Sequence, residues 1–170
     1  GLWCILQFLK KEFGVGEVIV PALTASIVPN MVFAAGFKVV FAEVSGSSFG
    51  SGADEILPLV NEETRAVITT HLEGFPVRAD EVKAALSDRD ILVIEDAAHA
   101  LGARVQERSV GSLADVAIFS LGKGKQLNAI SGGVVTTGST ELAGELRKLL
   151  GSNESPGRGA ILKRVAMVQA

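Results

Sequence analysis

The fold of this chain is decided by the stretch Ile91-Leu92-Val93-Ile94-Glu95-Asp96-Ala97-Ala98-His99. Its first four residues are apolar and mostly β-branched, which predicts a strand buried on both faces, as in a parallel sheet. Two carboxylates follow directly, and in an open α/β sheet ligands bind just beyond the carboxyl ends of the strands. A buried carboxylate needs a cation or hydrogen-bond donors beside it, so the sequence predicts a ligand site in which a positive group faces Asp96.

On both sides of this strand, the sequence alternates between strand and helix patterns. Further strands are predicted at 17–21, 38–42, 65–70, 115–119 and 133–137, and a short hairpin at 103–110. Helices are predicted at 2–13, 24–35, 54–60, 79–86, 140–150 and 160–169, with Thr24 as the N-cap of the second. Strands that alternate with helices imply an α/β fold, here a three-layer α/β/α sandwich with a mainly parallel sheet.

The composition excludes several classes of protein. Hydrophobic residues make up 48% of the chain and charged residues 21%, which are values of a globular domain. The net charge of -3 argues against a nucleic-acid surface, and no cluster of lysine and arginine indicates a membrane-bound one. The single cysteine, Cys4, rules out an intramolecular disulfide and fits a reducing cytoplasm. The uncharged segment 18–37 is interrupted by Pro21 and Pro29, so no membrane span is predicted.

A second informative stretch places a serine and two lysines beyond another buried strand. The predicted strand at 115–119 is followed by the loop Ser120-Leu121-Gly122-Lys123-Gly124-Lys125. Its glycines let the backbone approach an anion closely and its serine offers a hydroxyl, which together suit a phosphate. A P-loop would need serine or threonine after the final lysine, and Gln126 stands there instead. The predicted ligand is therefore an anion that also has a cationic atom for Asp96 and an electrophilic carbon for a lysine.

Pyridoxal phosphate combines these three features. In enzymes that use it, a lysine forms a Schiff base, an acid keeps the ring nitrogen protonated, and the ring acts as an electron sink. The acid, the serine and the lysine follow strands of one predicted sheet, so we expect them to converge on one edge of that sheet.

Simpler explanations of these residues stay open from the sequence alone. Asp96 can cap a following helix, and Ser120 can simply end its strand. Lys125 can be a solvated loop lysine, and Lys123 can be the Schiff-base residue in its place. A lone histidine carries little weight, so His99 can be a satisfied structural histidine. Two further polar residues are expected to be structural: Glu95, which can also face solvent, and His71.

Six motifs follow one another in a recognisable order. They are Gly16-Glu17-Val18-Ile19-Val20-Pro21, Ala34-Ala35-Gly36-Phe37-Lys38-Val39-Val40-Phe41, His71-Leu72-Glu73-Gly74-Phe75-Pro76, Ile94-Glu95-Asp96-Ala97-Ala98-His99-Ala100-Leu101-Gly102, Val110-Gly111-Ser112, and Phe119-Ser120 through Lys125 with Gly132-Gly133. In this order and spacing they closely resemble the DegT/StrS family of pyridoxal-phosphate aminotransferases, which belongs to the fold-type-I aminotransferase superfamily.

The resemblance implies a role for each of five residues. Asp96 would pair with the pyridinium nitrogen, and His99 would lie beside the 3′-oxygen of the ring. Ser120 would hold the phosphate, while Lys125 would carry the internal aldimine and move the proton in transamination. Thr24 would lie in the turn beneath or beside the cofactor.

Three features depart from the pattern of the family. Ala25 stands where an aromatic residue often stacks on the ring, and the Ser-Gly-Thr turn that adds phosphate donors would lie just before Gly1. The smaller C-terminal domain of the family would follow Ala170. We therefore expect residues 1–150 to be a cofactor-binding large domain, incomplete at its N-terminus, and residues 151–170 to be a linker and the start of a further part.

By this resemblance, the full protein would move an amino group from an amino-acid donor to a nucleotide-linked keto-sugar in a ping-pong reaction. We expect a cytoplasmic homodimer whose partners are these two small molecules, with no metal, no nucleic acid and no membrane involved. Two alternatives stay open: a pyridoxal-phosphate sugar dehydratase, and a non-catalytic relative or fragment that serves as a binding or regulatory module.

Overall fold

The computed structural model describes residues 1–46 and 49–151, and the centre of this part is a six-stranded sheet. The strands in chain order are β1 (Glu17–Pro21), β2 (Lys38–Ala42), β3 (Thr64–Thr70), β4 (Leu92–Asp96), β5 (Arg104–Val105), β6 (Arg108–Ser109), β7 (Val116–Ser120) and β8 (Gly133–Thr137). The order across the sheet is β2-β1-β3-β4-β7-β8, and β8 alone runs antiparallel to its neighbour. Strands β5 and β6 form the predicted hairpin.

Helices cover both faces of this sheet. They are α1 (Leu2–Phe13), α2 (Ile27–Ala34), α3 (Ala53–Ile56), α4 (Ala79–Ala85) and α5 (Thr140–Gly151). Apolar side chains of α1, α2 and α5 pack on one face of the sheet, and those of α3 and α4 pack on the other. The predicted fold class, a three-layer α/β/α sandwich with a mainly parallel sheet, is confirmed.

Side chains alternate between the two faces along β4, as they do along any strand. Val93 packs in the cluster with α3 and α4, whereas Ile94 packs in the cluster with α1, α2 and α5. The alternation continues through the two carboxylates, so Glu95 points to the α4 face and Asp96 to the α1 face. Both are buried.

The second helix begins three residues later than the sequence predicts. It starts at Ile27 with Ser26 as its N-cap, so the prediction that Thr24 caps it was wrong. Pro29 explains the shift, because a proline is tolerated in the first turn of a helix, where its nitrogen needs no hydrogen-bond partner, and is disfavoured further along. Pro58 has a similar effect on the helix predicted at 54–60, which is a short α-helix followed by the 3-10 turn Leu57–Leu59.

Two predicted features fall wholly or mostly beyond the part of the chain that the structure describes. The helix at 160–169 lies outside it, and so does the predicted linker at 151–159 apart from its first residue. Within residues 1–46 and 49–151, no helix has both the length and the apolar character that a membrane span requires.

Candidate active site

The carboxyl ends of β3, β4 and β7 meet at a cavity of about 510 Å³. Four of the five predicted site residues line it, namely Asp96, His99, Ser120 and Lys125. Thr24 is absent from its lining. A larger cavity of about 910 Å³ lies at the opposite edge of the sheet and has none of the five in its walls.

Asp96 lies at the bottom of the smaller cavity and is only 5% exposed. Ala98 donates its backbone N–H to the Asp96 carboxylate at 3.1 Å, within a turn, so no helix follows and Asp96 is not a helix cap. Burial raises the pKa of the Asp96 carboxyl above its usual value. The Ala98 N–H acts in the opposite direction, as do the smaller electrostatic effects of His99, His71 and Lys125, and together they do not outweigh burial. A cation in the cavity would therefore stabilise the charged form of Asp96.

The loop after β7 brings Lys125 to the cavity. Its backbone turns at Gly124, where φ is +80°, and Lys125 donates its N–H to the carbonyl of Gly122. Lys125 is half-buried in the wall of the cavity, whereas Lys123 is exposed and is not part of that wall. The geometry therefore favours Lys125 over Lys123 as the amine that a ligand in the cavity would meet.

The entrance of the cavity also contains the start of α1, which the sequence did not single out. Gly1 and Leu2 line the cavity, and the first turn of α1 carries no acidic residue. The unpaired N–H groups of a helix N-terminus carry partial positive charge and bind anions such as phosphate. The hydroxyl of Ser120 opens into the same cavity and accepts a long hydrogen bond, 3.4 Å, from the Gly122 N–H.

Thr24 reaches the site only through a neighbour. Its hydroxyl lies 3.2 Å from the hydroxyl of Thr70, and Thr70 lines the cavity at the end of β3. Ala25, the next residue, lines the cavity directly. The hydroxyl pair couples the loop before α2 to the end of β3.

Behind the cavity, Glu95 forms a buried polar centre on the other face of β4. Its carboxylate accepts hydrogen bonds from His71 Nε2 at 3.1 Å and from the backbone N–H groups of Gly111, Leu113 and Ala114 at 2.7–3.0 Å. Burial alone would raise the pKa of Glu95, but these hydrogen bonds together lower it below its usual value. Glu95 is thus structural and fully buried, and the alternative that it faces solvent was wrong.

His71 is also fully buried and completes this polar centre. Its Nδ1 accepts the backbone N–H of Val77 at 3.0 Å, so its ring proton lies on Nε2 and points to Glu95. The expected structural role of His71 fits this geometry, although one edge of the residue also lines the cavity. Across the described residues, no group of three or more acidic, histidine or cysteine side chains is arranged to hold a metal ion.

The sequence model of the DegT/DnrJ/EryC1/StrS aminotransferase family matches residues 4–159. This chain belongs to that family. Among curated relatives, it is 34% identical to a GDP-perosamine synthase of Caulobacter vibrioides, over 90% of this chain and 42% of the relative. It is 35% identical to a UDP-N-acetyl-3-dehydro-α-D-glucosamine 3-aminotransferase of Acidithiobacillus ferrooxidans, over 85% of this chain and 40% of the relative.

Two solved structures share the fold of this DegT-family chain. The aminotransferase TlmJ from Streptoalloteichus hindustanus superposes with a TM-score of 0.80 at 30% identity, over 88% of this chain and 40% of that one. DesV of S. venezuelae, solved in complex with a ketimine intermediate, gives 0.79 at 32% identity, over 92% and 43%. The chain spans about two fifths of the length of the curated relatives it matches.

Aminotransferases of the DegT family use pyridoxal phosphate, and the residues of the cavity suit that molecule. A phosphate would meet the N-terminus of α1 and the Ser120 hydroxyl. A protonated ring nitrogen would meet the carboxylate of Asp96, whose charged form burial destabilises. An aldehyde carbon would meet the primary amine of Lys125. Ala25 and apolar residues of α2 also line the cavity, and Phe119 of β7 is the aromatic residue in its lining.

Proposed function

We propose that residues 1–150 are the cofactor-binding large domain of a pyridoxal-phosphate aminotransferase, and that residues 151–170 lead into a further part of it. The whole protein would transfer an amino group from an amino-acid donor to a nucleotide-linked keto-sugar. One observation carries the proposal: Asp96 and Lys125 line the same cavity at the carboxyl edge of the sheet. The choice of substrate class is supported by the curated relatives, whose names refer to GDP- and UDP-linked sugars.

In this proposal, several groups of the chain besides Lys125 hold the cofactor. The N-terminus of α1 and the Ser120 hydroxyl bind its phosphate, and Asp96 holds the proton on its ring nitrogen. His99 lies in the same wall, beside the ring, and Thr24 supports that wall through Thr70. When bound, pyridoxal phosphate supplies an aldehyde carbon that condenses with primary amines and a ring that withdraws electrons from that carbon.

Lys125 has two tasks in the proposed reaction. Its Nζ is the primary amine that holds the cofactor when no substrate is present. Once an amino donor has displaced it, the same Nζ is free to take a proton from one carbon and deliver it to another. A lysine suits this work because its primary amine lies at the end of a flexible four-carbon side chain and can reach more than one position in the cavity.

We further propose that the whole protein is a cytoplasmic homodimer. Two large apolar side chains of α2 are more than half exposed, Ile27 at 57% and Phe33 at 77%. Ile27 also lines the cavity, so an apolar surface at the entrance is left without a partner in a single chain. A cytoplasmic location is supported by the single cysteine, Cys4, which is buried and free.

Reductive labelling tests the cofactor site directly. We expect the chain to develop visible absorbance when titrated with pyridoxal phosphate, and borohydride to fix one pyridoxyl group on Lys125. Peptide mapping distinguishes this lysine from Lys123, two residues away in the same loop. Pyridoxal, which lacks the phosphate, serves as the matched control and should label Lys125 more slowly. Labels spread over exposed lysines, or a label on Lys123, would contradict the proposal.

A further inference from the structure

A small cavity opens on the far side of the wall that His99 and Lys125 form. It measures about 360 Å³ and is lined by Glu73, His99, Gly124, Lys125 and Gln126. His99 and Lys125 therefore line both this cavity and the larger one that contains Asp96. The contacts that hold His99 and Lys125 in this wall therefore also set the position of Lys125 in the proposed active site.

His99 is held from two sides by residues of two different loops. Gln126 donates a hydrogen bond from its side-chain Nε2 to the backbone carbonyl of His99 at 2.5 Å. From the other side, a carboxylate oxygen of Glu73 lies 3.3 Å from His99 Nδ1. The loop after β7, which carries Lys125, and the loop after β3, which carries Glu73, thus meet on His99.

The loop that carries Lys125 contains backbone turns that close it on itself. It contains two glycines in the left-handed region, Gly124 at φ +80° and Gly132 at φ +118°. Its backbone hydrogen bonds, such as those of Leu121 with Gly132 and Ala129, close the loop on itself. The side chain of Gln126, by contrast, donates its hydrogen bond outside the loop, to the backbone carbonyl of His99.

Glu73 adopts an unusual backbone conformation to reach His99. Its φ of +51° lies in the left-handed region, which is costly for a residue with a Cβ. Gly74 follows with φ +86°, and a Cβ there would lie 3.3 Å from the His99 carbonyl oxygen. The backbone at 73–74 therefore passes close beside His99, and it brings the carboxylate of Glu73 to the imidazole.

We propose that Gln126, His99 and Glu73 form a latch that fixes the Lys125 loop against the turn after Asp96. Gln126 is then a positioning residue for Lys125, and Glu73 is one for His99. This inference rests on the proposed role of Lys125 as the amine that captures the cofactor. Such capture is fastest when the amine is already held where the aldehyde carbon arrives, so a loosened loop reacts more slowly.

The variant Gln126→Leu tests the latch, because leucine keeps much of the side-chain size and cannot donate. In the chain without cofactor, we expect amide hydrogen exchange across residues 121–132 to rise about fivefold, which is the effect of losing one hydrogen bond. Capture of pyridoxal phosphate by Lys125 should slow by a similar factor, while the thermal midpoint should fall by only about 2–4 °C, which leaves the chain folded at the temperature of the assay. Gln126→Arg keeps a donor without adding a primary amine and should restore both rates.

Lys123→Gln is the matched control, since it changes an exposed side chain of the same loop that does not line either cavity. It should leave exchange and capture as in the unaltered chain. Unchanged exchange in Gln126→Leu would overturn the latch, and faster exchange with unchanged capture would overturn its positioning role. Because the exchange measurement needs no cofactor, it decides on the latch even if the unaltered chain fails to capture pyridoxal phosphate on Lys125.

Discussion

Replacing Lys125 by alanine is expected to abolish covalent capture of pyridoxal phosphate and to leave the fold intact. The alanine variant has no primary amine at the cavity wall, so borohydride has no carbon–nitrogen bond to fix there. The free energy of unfolding should change little, within about 0.5 kcal/mol, because Lys125 is a half-buried loop residue outside the core clusters. The measurement pairs absorbance and mass mapping with urea unfolding of the same samples.

The phosphate and ring contacts should survive in Lys125→Ala, because they come from α1, Ser120 and Asp96. The cofactor is therefore expected to bind reversibly, and to be removed by dialysis where the unaltered chain retains it. In the whole protein, loss of the proton-moving group should reduce amino transfer by a factor of about 10² to 10⁴. Lys123→Ala is the control for a missing loop lysine. A retained label in Lys125→Ala would assign the capturing amine to another lysine.

Local patterns were enough to predict the layout of the sheet and most of the candidate site. The apolar residues before Glu95 predict a doubly buried strand, and the observed β4 has that character. Parallel strands end at one edge, so residues that follow different strands, such as Asp96 and Ser120, were expected to meet, and both line one cavity. For these features, the residues immediately around each strand were enough to make the prediction.

Other features depend on partners far away in the sequence, and local patterns cannot show them. Thr24 has the residue type of an N-cap, but its hydroxyl pairs with Thr70 instead, 46 residues away. Whether Glu95 is exposed or buried is decided by His71 and by the backbone near Gly111, none of which is a neighbour in the sequence. The strand alternation was the one local signal, since it places Glu95 on the covered α4 face.

The contacts of His99 are another case that local sequence patterns cannot predict. Gln126 was noticed only because it breaks the P-loop pattern, and Glu73 was part of a motif with no role assigned. Their contact with His99 depends on the left-handed backbone at Glu73, a conformation that is rare for glutamate and that no propensity would predict.

Neutralising the two adjacent carboxylates of β4 is expected to change stability in opposite directions. Glu95→Gln should lower the free energy of unfolding by about 3 kcal/mol or more at neutral pH. Each carboxylate oxygen of Glu95 accepts from two donors, so the amide NH2 of glutamine would face two of the four donors and leave them without an acceptor. Asp96→Asn should raise the free energy of unfolding of the cofactor-free chain, because burial opposes the charged form of Asp96.

The pH dependence of these two effects follows from the direction of each pKa shift. The folded-state pKa of Glu95 is lowered, so its stabilisation is complete above the pKa of the unfolded chain, near 4.5, and is lost as the pH falls through the folded value. The folded-state pKa of Asp96 is raised, so its cost to stability is present above the folded value. That cost disappears as the pH falls toward the unfolded value near 3.8.

Urea unfolding of the unaltered chain and both variants, at neutral and at mildly acidic pH, measures all of this. At neutral pH we expect Glu95→Gln to unfold at lower urea and Asp96→Asn at higher urea than the unaltered chain. The Asp96→Asn difference should shrink at mildly acidic pH, whereas the Glu95→Gln difference should shrink only below about pH 4.5. Asp96→Asn should at the same time bind pyridoxal phosphate more weakly, since the ring cation loses its carboxylate. A carboxylate that destabilises the cofactor-free chain but strengthens cofactor binding acts as a binding group. A carboxylate that only stabilises the fold is structural. Equal and parallel losses of stability in the two variants would remove this distinction and make Asp96 a structural residue like Glu95.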